Sequence, residues 1–477
     1  MAGVINIFTK HPGQELKTAV QFIGGSYNTF REAAAVSGSI NKTGIAINLS
    51  NTASKGFSSA TDAVGTANFD NDGFHQRSVS ANLTQALSPA FKLKGNLQLT
   101  HNTGDNDFDA FTDDKDYTYK RTFLFAGLGA SWKAAEHEDL TVNVSQNNVW
   151  NDFTNLPGDN GATLSTNRNL GRVTNAEAIF TSRLTGYLDM TAGADYKYYN
   201  TIQHTYYNSA SYGPLAGNVY GHSSIGSAYT SLFFRSGIFH MELGGRLNRH
   251  NRYGTNFTYT INPSVLLFDR LKLFATAASA YKVPSLYQLY SEYGNADLKP
   301  EKTNASYEAG FDLALIRDKL SFNTSLYQRK IKDVIYFYTD PATFKSFYLN
   351  GYQQDDKGFE SELNFTGPYF KASAWMAYVA GRQTDDRGTE THNLYRRPKD
   401  SYGVNITVTA VKNTVLGLNY RYTGNRQDQD FNSPPYPAVV DLKHYSLLDA
   451  HMQFQAAKRF SLFADLNNLL NEKYTDW

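Results

Sequence analysis

The chain has 477 residues, 45 basic and 44 acidic side chains, a net charge of +1 and no cysteine. So even a balance gives no footing to nucleic acid as a partner, and the missing thiols exclude disulfides, thiolate metal sites and cysteine nucleophiles. Tyr (33) and Phe (31) are frequent, Met and Pro are scarce, and no run approaches eighteen apolar residues; a helical membrane span is excluded while a strand-built one is not.

Residues 1–30 show no basic segment followed by an apolar stretch, the signal a secreted barrel needs, so Met1 is read as an artificial or internal start. Beyond them the pattern has period two. Ile45, Ile47 and Leu49 alternate with polar residues. In Lys92–Thr100, Leu93, Gly95, Leu97 and Leu99 share one face, and Lys92, Lys94, Asn96, Gln98 and Thr100 the other. Leu140, Val142 and Val144 repeat the pattern, as do Val404, Ile406 and Val408. Alternation alone does not say whether the apolar face meets a protein core or lipid.

Connection lengths do. Short turns are expected near residues 42, 89, 136, 185, 237, 269, 317, 368, 412 and 458. Longer polar, aromatic-rich segments fall between them, at about 51–75, 101–122, 151–172, 200–224, 281–305, 336–358, 380–400 and 424–445, with two shorter ones near 24–31 and 249–255. Strict alternation of short and long connections is the asymmetry of outer-membrane barrels. The expected fold is therefore all-β, a large antiparallel transmembrane β-barrel with about 21 strands. Single-chain bacterial barrels have even strand numbers, so about 21 of 22 strands are expected, the last missing after Trp477, which leaves two open edges.

Three segments carry a family resemblance. Ala2–Lys10 (AGVINIFTK) resembles the last strand of a plug domain. Tyr281–Lys302 (YKVPSLYQLYSEYGNADLKPEK) resembles a signature of barrel strand and extracellular loop, through Val283, Pro284, Leu298, Pro300 and Glu301. Ala464–Tyr474 (ADLNNLLNEKY) resembles a penultimate barrel strand. Together they resemble the TonB-dependent outer-membrane receptors of Gram-negative bacteria. The resemblance implies residues 1–12 as the terminal strand of the plug and 13–477 as the barrel, with the rest of the plug absent from this chain. Within that family the likeness is greatest to cobalamin (vitamin B12) receptors, through the 281–302 segment, Leu394–Lys399 (LYRRPK) and Tyr422–Pro437 (YTGNRQDQDFNSPPYP).

Phe69–Phe74 (FDNDGF) and Asp105–Asp116 resemble two loops that bind Ca²⁺ in those receptors. The implied ligands of a structural Ca²⁺ are Asp70, Asp72, Asp105, Asp107, Asp109 and Asp116. Ca²⁺ takes six to eight oxygens, and carboxylates gathered without a cation repel. Asp105, Asp107, Asp109, Asp113 and Asp116 have EF-hand spacing, but Ala110 and Asp116 stand where that loop needs Gly and Glu. An acidic ligand expected near Gly56-Phe57-Ser58 is absent.

For a bulky amphipathic ligand the candidate contacts are Tyr206, Tyr207, Tyr212, Tyr287, Tyr290, Tyr293, Asn295, Asn425, Arg426 and Tyr436. Interface girdles of barrels are Tyr-rich without any ligand. His101, His204, His222 and His240 are the candidates for iron in a haem receptor. No nucleophile motif such as G-x-S-x-G occurs, so an enzyme is not expected. The expected protein is an outer-membrane active transporter that binds cobalamin or a related corrinoid at its extracellular loops. Its implied partners are membrane lipid, the TonB complex reached through the plug, and a surface lipoprotein; it requires no cofactor. The alternatives are a ferric-siderophore or haem receptor, a passive porin, or an outer-membrane hydrolase.

Overall fold

The computed structural model describes residues 13–474 apart from 63–64, 66–67, 110, 159–163, 210–212, 341–342, 344, 386–387, 392–394 and 431–437. The expected plug strand at 1–12, and Tyr212 and Tyr436, lie outside the described residues. In chain order the elements are β1 (Lys17–Gly25), β2 (Thr29–Ile40), β3 (Thr43–Ser54), β4 (Phe74–Ala86), β5 (Phe91–Asp105), β6 (Thr118–Ala135), β7 (Glu138–Asn155), β8 (Leu164–Thr185), β9 (Leu188–Ser209), β10 (Gly213–Ser236), β11 (Phe239–His250), β12 (Gly254–Leu267), β13 (Leu271–Lys282), α1 (Leu286–Tyr290), β14 (Glu301–Ile316), β15 (Leu320–Thr339) and β16 (Ser346–Thr366). The rest are β17 (Phe370–Thr384), the two-residue β18 (Glu390–Thr391), β19 (Asp400–Val408), β20 (Thr414–Thr423), β21 (Arg426–Asp430), β22 (Ala438–Leu442), β23 (Tyr445–Ala457) and β24 (Phe460–Leu466). Among the described residues, 22 strands form one sheet, and β21 and β22 pair apart from it. Without β18 that leaves the 21 long strands expected from the turns.

Chain neighbours pair antiparallel from β1 through β9. The same meander runs from β12 to β24, with β17 paired to β19 and β20 to β23. Each of the ten expected short turns falls between two strands consecutive in the chain. Their residues suit them: Asn41, Asp269, Asp318 and Asn413 take φ of 55, 55, 59 and 59°, a left-handed region that short amide and carboxylate side chains tolerate best after glycine.

Two expected loops are strand instead. Most of 200–224 extends β9 and β10 to 22 and 24 residues, and most of 336–358 extends β15 and β16. A membrane crossing needs about 9–11 residues, so these ladders run well past the hydrocarbon. Cross-strand aromatic pairs hold β15 to β16 there, with ring centroids 5.2 Å apart for Phe337–Tyr348 and 5.6 Å for Tyr338–Phe347.

Burial is inside out. Leu93, Leu97, Leu99, Val142, Val144 and Leu128 are exposed, Leu128 by 74%. Buried positions are largely polar, among them Asp195, Gln203, Ser227, Asn248 and Asp356. An apolar strand face left exposed while mostly polar residues are buried among the described ones has hydrocarbon as its solvent. Exposed aromatics bracket the apolar band at about nine to eleven residues' separation, the span a strand needs to cross: Tyr187 and Tyr196, Tyr369 and Tyr378, Phe257 and Phe268.

The chain divides into two compact units. The first holds Met1–Thr230, Arg246–Phe257 and Ser285–Asp297; the second holds Ser231–Gly245, Thr258–Pro284 and Leu298–Trp477. The Ala464–Tyr474 segment is strand only to Leu466. Asn468 then takes φ 51° and ties the chain back, accepting from the Glu472 N–H and donating to the Glu472 carbonyl, both at 2.9 Å.

Candidate functional site: an acidic loop cluster

The β3–β4 connection folds across itself because Gly56, at φ +64°, lets the backbone meet Asp72 where a Cβ would collide with its carbonyl. That crossing brings Ser58–Ala60 onto the carboxylates. Asp107, from the β5–β6 connection, accepts at Oδ2 from the Ala60 N–H (2.5 Å), Ser58 Oγ (2.9 Å) and Ser59 Oγ (3.1 Å), and at Oδ1 from the Asp114 N–H (3.1 Å). Asp72 Oδ2 accepts from the Ser59 N–H at 2.6 Å and its hydroxyl at 2.7 Å. Asp113 Oδ1 accepts from the Asp70 N–H at 3.0 Å.

Asp70, Asp107 and Asp113 place carboxylate oxygens within 4.8 Å of one another. Burial first, then repulsion from Asp113, Asp72 and Asp107, pushes the Asp70 carboxyl up to about 6. Burial also raises Asp72 against the donors of Ser59. Burial acts upward on Asp107 too, but its donated hydrogen bonds outweigh it and leave that carboxyl below its usual range. Asp70 Oδ1 and Asp72 Oδ1 are buried with no hydrogen-bond partner. Two orphaned acceptors among gathered acids fit a hard, oxygen-seeking divalent cation, which Ca²⁺ is.

Of the six acids named from sequence, Asp70, Asp72 and Asp107 meet here. Asp109 turns away and accepts from the Phe111 N–H at 2.8 Å. Asp116 accepts from the Leu156 N–H at 3.2 Å, and Asp105 lies beside Gly73. These three are not in the trio, since a strand-and-turn backbone does not wrap one ion as an EF-hand loop does. Asp113 joins it, and Asp114, 1% exposed, supports it by accepting from Asn155 Nδ2 at 2.7 Å. The run of acids in Asp113-Asp114 was their signal. Where an acidic ligand is absent near 56–58, Ser58 and Ser59 supply hydroxyls.

The Tyr281–Lys302 segment closes a loop base. Pro284 ends β13, and Ser285 caps α1 with a reciprocal box to Gln288 at 2.9 and 3.1 Å. Lys282 and Glu301 face each other in register with an ion pair of 3.1 Å. Leu289, Leu298 and Pro300 are buried. Tyr287 and Tyr293 are exposed, while Tyr290 packs on Gly221 and takes a hydrogen bond from Arg252 at 3.2 Å. Asn295 accepts from the Asp297 N–H at 2.8 Å. Tyr290 and Asn295 therefore shape the loop.

Tyr206 and Tyr207 adjoin on β9 and point to opposite faces. Tyr207 shares the polar face of Asp195 and Gln203; Tyr206 shares the outer face of Tyr196 and is turned from it. Asn425 Oδ1 accepts from the His444 N–H at 2.9 Å, and Arg426 is buried with its guanidinium 5.1 Å over Tyr445, so both act in local structure. Each of the four candidate histidines sits against a local partner. His101, His204 and His222 follow the outward parity of β5, β9 and β10, with His204 against Tyr220 and His222 against Tyr198; His240 lies against Phe233 on the other parity of β11.

Residues 23–469 match the family described as TonB dependent receptor-like, beta-barrel, and the chain belongs to it. Its members are transport receptors of the Gram-negative outer membrane rather than enzymes, and the barrel fold and that location hold for this chain. Among solved structures, the ferripyoverdine receptor of the outer membrane of Pseudomonas aeruginosa aligns with a TM-score of 0.81 at 14% identity over 98% of this chain and 69% of its own. The ferric-catecholate import receptor Fiu of E. coli K12 aligns at 0.80, 14% identity, 99% and 80%. The copper transporter OprC aligns at 0.78, 12% identity, 98% and 76%.

Proposed function

We propose that this receptor takes up cobalamin or a related corrinoid, with Ca²⁺ ordering its extracellular loops. The chain is a TonB-dependent outer-membrane receptor; the cargo is the inference. What carries it is the acidic cluster. Asp70, Asp107 and Asp113, with Asp72 beside them, gather carboxylates in the two loops that resemble the calcium loops of cobalamin receptors. The likenesses at 281–302, 394–399 and 422–437 support the same cargo. Calcium bound there offsets two of the four like charges and pins both loops to the strand ends, a pre-organisation that lowers the ordering cost of ligand binding. The rival cargo, a ferric siderophore, rests on solved structures of 14% identity, a likeness of fold.

The test is equilibrium binding of radiolabelled cyanocobalamin to the full-length receptor in outer membranes, with Ca²⁺ or with a chelator. Binding between nanomolar and micromolar concentration, weakened by the chelator, is expected. No binding at micromolar concentration removes the corrinoid and leaves the receptor.

A further inference from the structure

The register of unit one sets a row of amides across six consecutive strands. Gln76 on β4 pairs with Asn102 on β5, Asn102 with Arg121 on β6, Arg121 with Asn151 on β7, Asn151 with Asn169 on β8, and Asn169 with Gln203 on β9. All six share the polar face, opposite exposed Val79, Leu99 and Val144. On the loop side β4, β5 and β6 end within about three residues of the row, at the connections that hold the acidic cluster. The row contains five amides, one cation and no carboxylate. Arg121 lies 4.6 Å over the Tyr119 ring and 5.3 Å from that of Phe153.

The hydrogen bonds of this row are incomplete. Asn102 Oδ1 and Asn151 Oδ1 are buried without partners, as is Asn167 Oδ1 one pair further along β8. An amide that turns half a revolution exchanges acceptor for donor. Such a surface serves a solute with many neutral donors and acceptors. An anionic cargo instead calls for clustered Arg and Lys.

We propose that this amide row is a subsite for an uncharged solute rich in amide or hydroxyl groups, receiving it beneath the loops. The proposal deepens the uptake reading and rests on it, but does not require cobalamin itself. The test compares the full-length receptor with Asn151→Leu/Asn169→Leu and with Asn147→Leu, which removes a polar-face amide two pairs away along β7. The probes are cyanocobalamin and a ferric tris-catecholate, one neutral and amide-bearing, the other anionic. The double variant is expected to lose about tenfold or more in cyanocobalamin affinity, and the control less than about twofold. Heat-modifiable gel migration reports that each barrel has folded. If the leucine pair does not assemble, Asn151→Asp/Asn169→Asp keeps size and polarity and is expected to show the same loss. Unchanged affinity in a folded variant overturns the subsite and leaves the cargo standing. Wild-type binding of the catecholate but not cyanocobalamin overturns both. If wild type takes neither, the cargo reading ends and maltohexaose decides the subsite: binding lost in the double variant supports it, and no binding overturns it.

Discussion

Asp70 is where the acidic cluster is most sensitive. Its carboxyl is raised to about 6 by burial and by Asp113, Asp72 and Asp107. A raised folded-state pKa means the protonated form is the favoured one. In the metal-free receptor the loops therefore lose stability as pH rises from about 4, the unfolded value, to about 6. Calcium needs the ionised form, so its affinity is expected to climb over the same window and level off above it, as calorimetric titration at pH 5 to 8 will show. A flat profile removes Asp70 from the ligands. Asp113→Asn is expected to weaken Ca²⁺ by about tenfold or more, and Asp109→Asn to leave it unchanged, because Asp109 binds its own turn. Equal losses from both would put Asp109 back among the ligands, as the resemblance to the calcium loops implied.

Among elements, the segment after β18 is held by adjacent arginines. Arg397 reaches Asp356 on β16 at 3.5 Å, and Arg396, at φ 62°, reaches Asp428 on β21 at 2.9 Å. Asp356 is wholly buried and also takes Arg329 Nε at 2.7 Å and Gln354 at 2.9 Å. Removing one partner of a buried pair strands the other charge, so Asp356→Ala is expected to cost about 3–5 kcal/mol. Lys272–Asp312, with both side chains about half exposed, contributes at most about 1 kcal/mol. Denaturant titration of the folded receptor separates the two; equal effects would mean that Asp356 is not the anchor. In the 281–302 loop, Ser285→Ala removes a helix cap worth about 1 kcal/mol. Amide exchange is expected to quicken in α1 alone; unchanged exchange would show the buried Leu289 sufficient to hold it.

For the molecule as a whole, the outward apolar face decides where it folds. Leu128 lies near the middle of the crossing counted from the short turn, paired with Gly95 and Val144. Leu128→Arg is expected to cost about 2–4 kcal/mol in the bilayer, while Ser80→Lys, on the polar face, assembles normally. Levels in the outer membrane and heat-modifiable migration are the readout. Normal assembly of Leu128→Arg would mean that this face does not meet lipid.

Alternation at Ile45–Leu49 or Lys92–Thr100, and turns at Asn41, Asp269 and Asn413, are properties of neighbours in the chain. They determined the all-β class, the ten short turns and the 21 long strands, since a period of two and a left-handed φ need only local residues. The acids at 70, 72 and 107 were named from the sequence through the resemblance of their two short runs to calcium loops. What the tertiary structure decided depends on partners far away in the chain. It brought Asp113 in and left Asp109 and Asp116 out, and it set Tyr206 and Tyr207 on opposite faces of a paired strand where a loop was expected. It also aligned Gln76, Asn102, Asn151, Asn169 and Gln203, which no sequence spacing relates, because register between strands is fixed by pairing along their whole length.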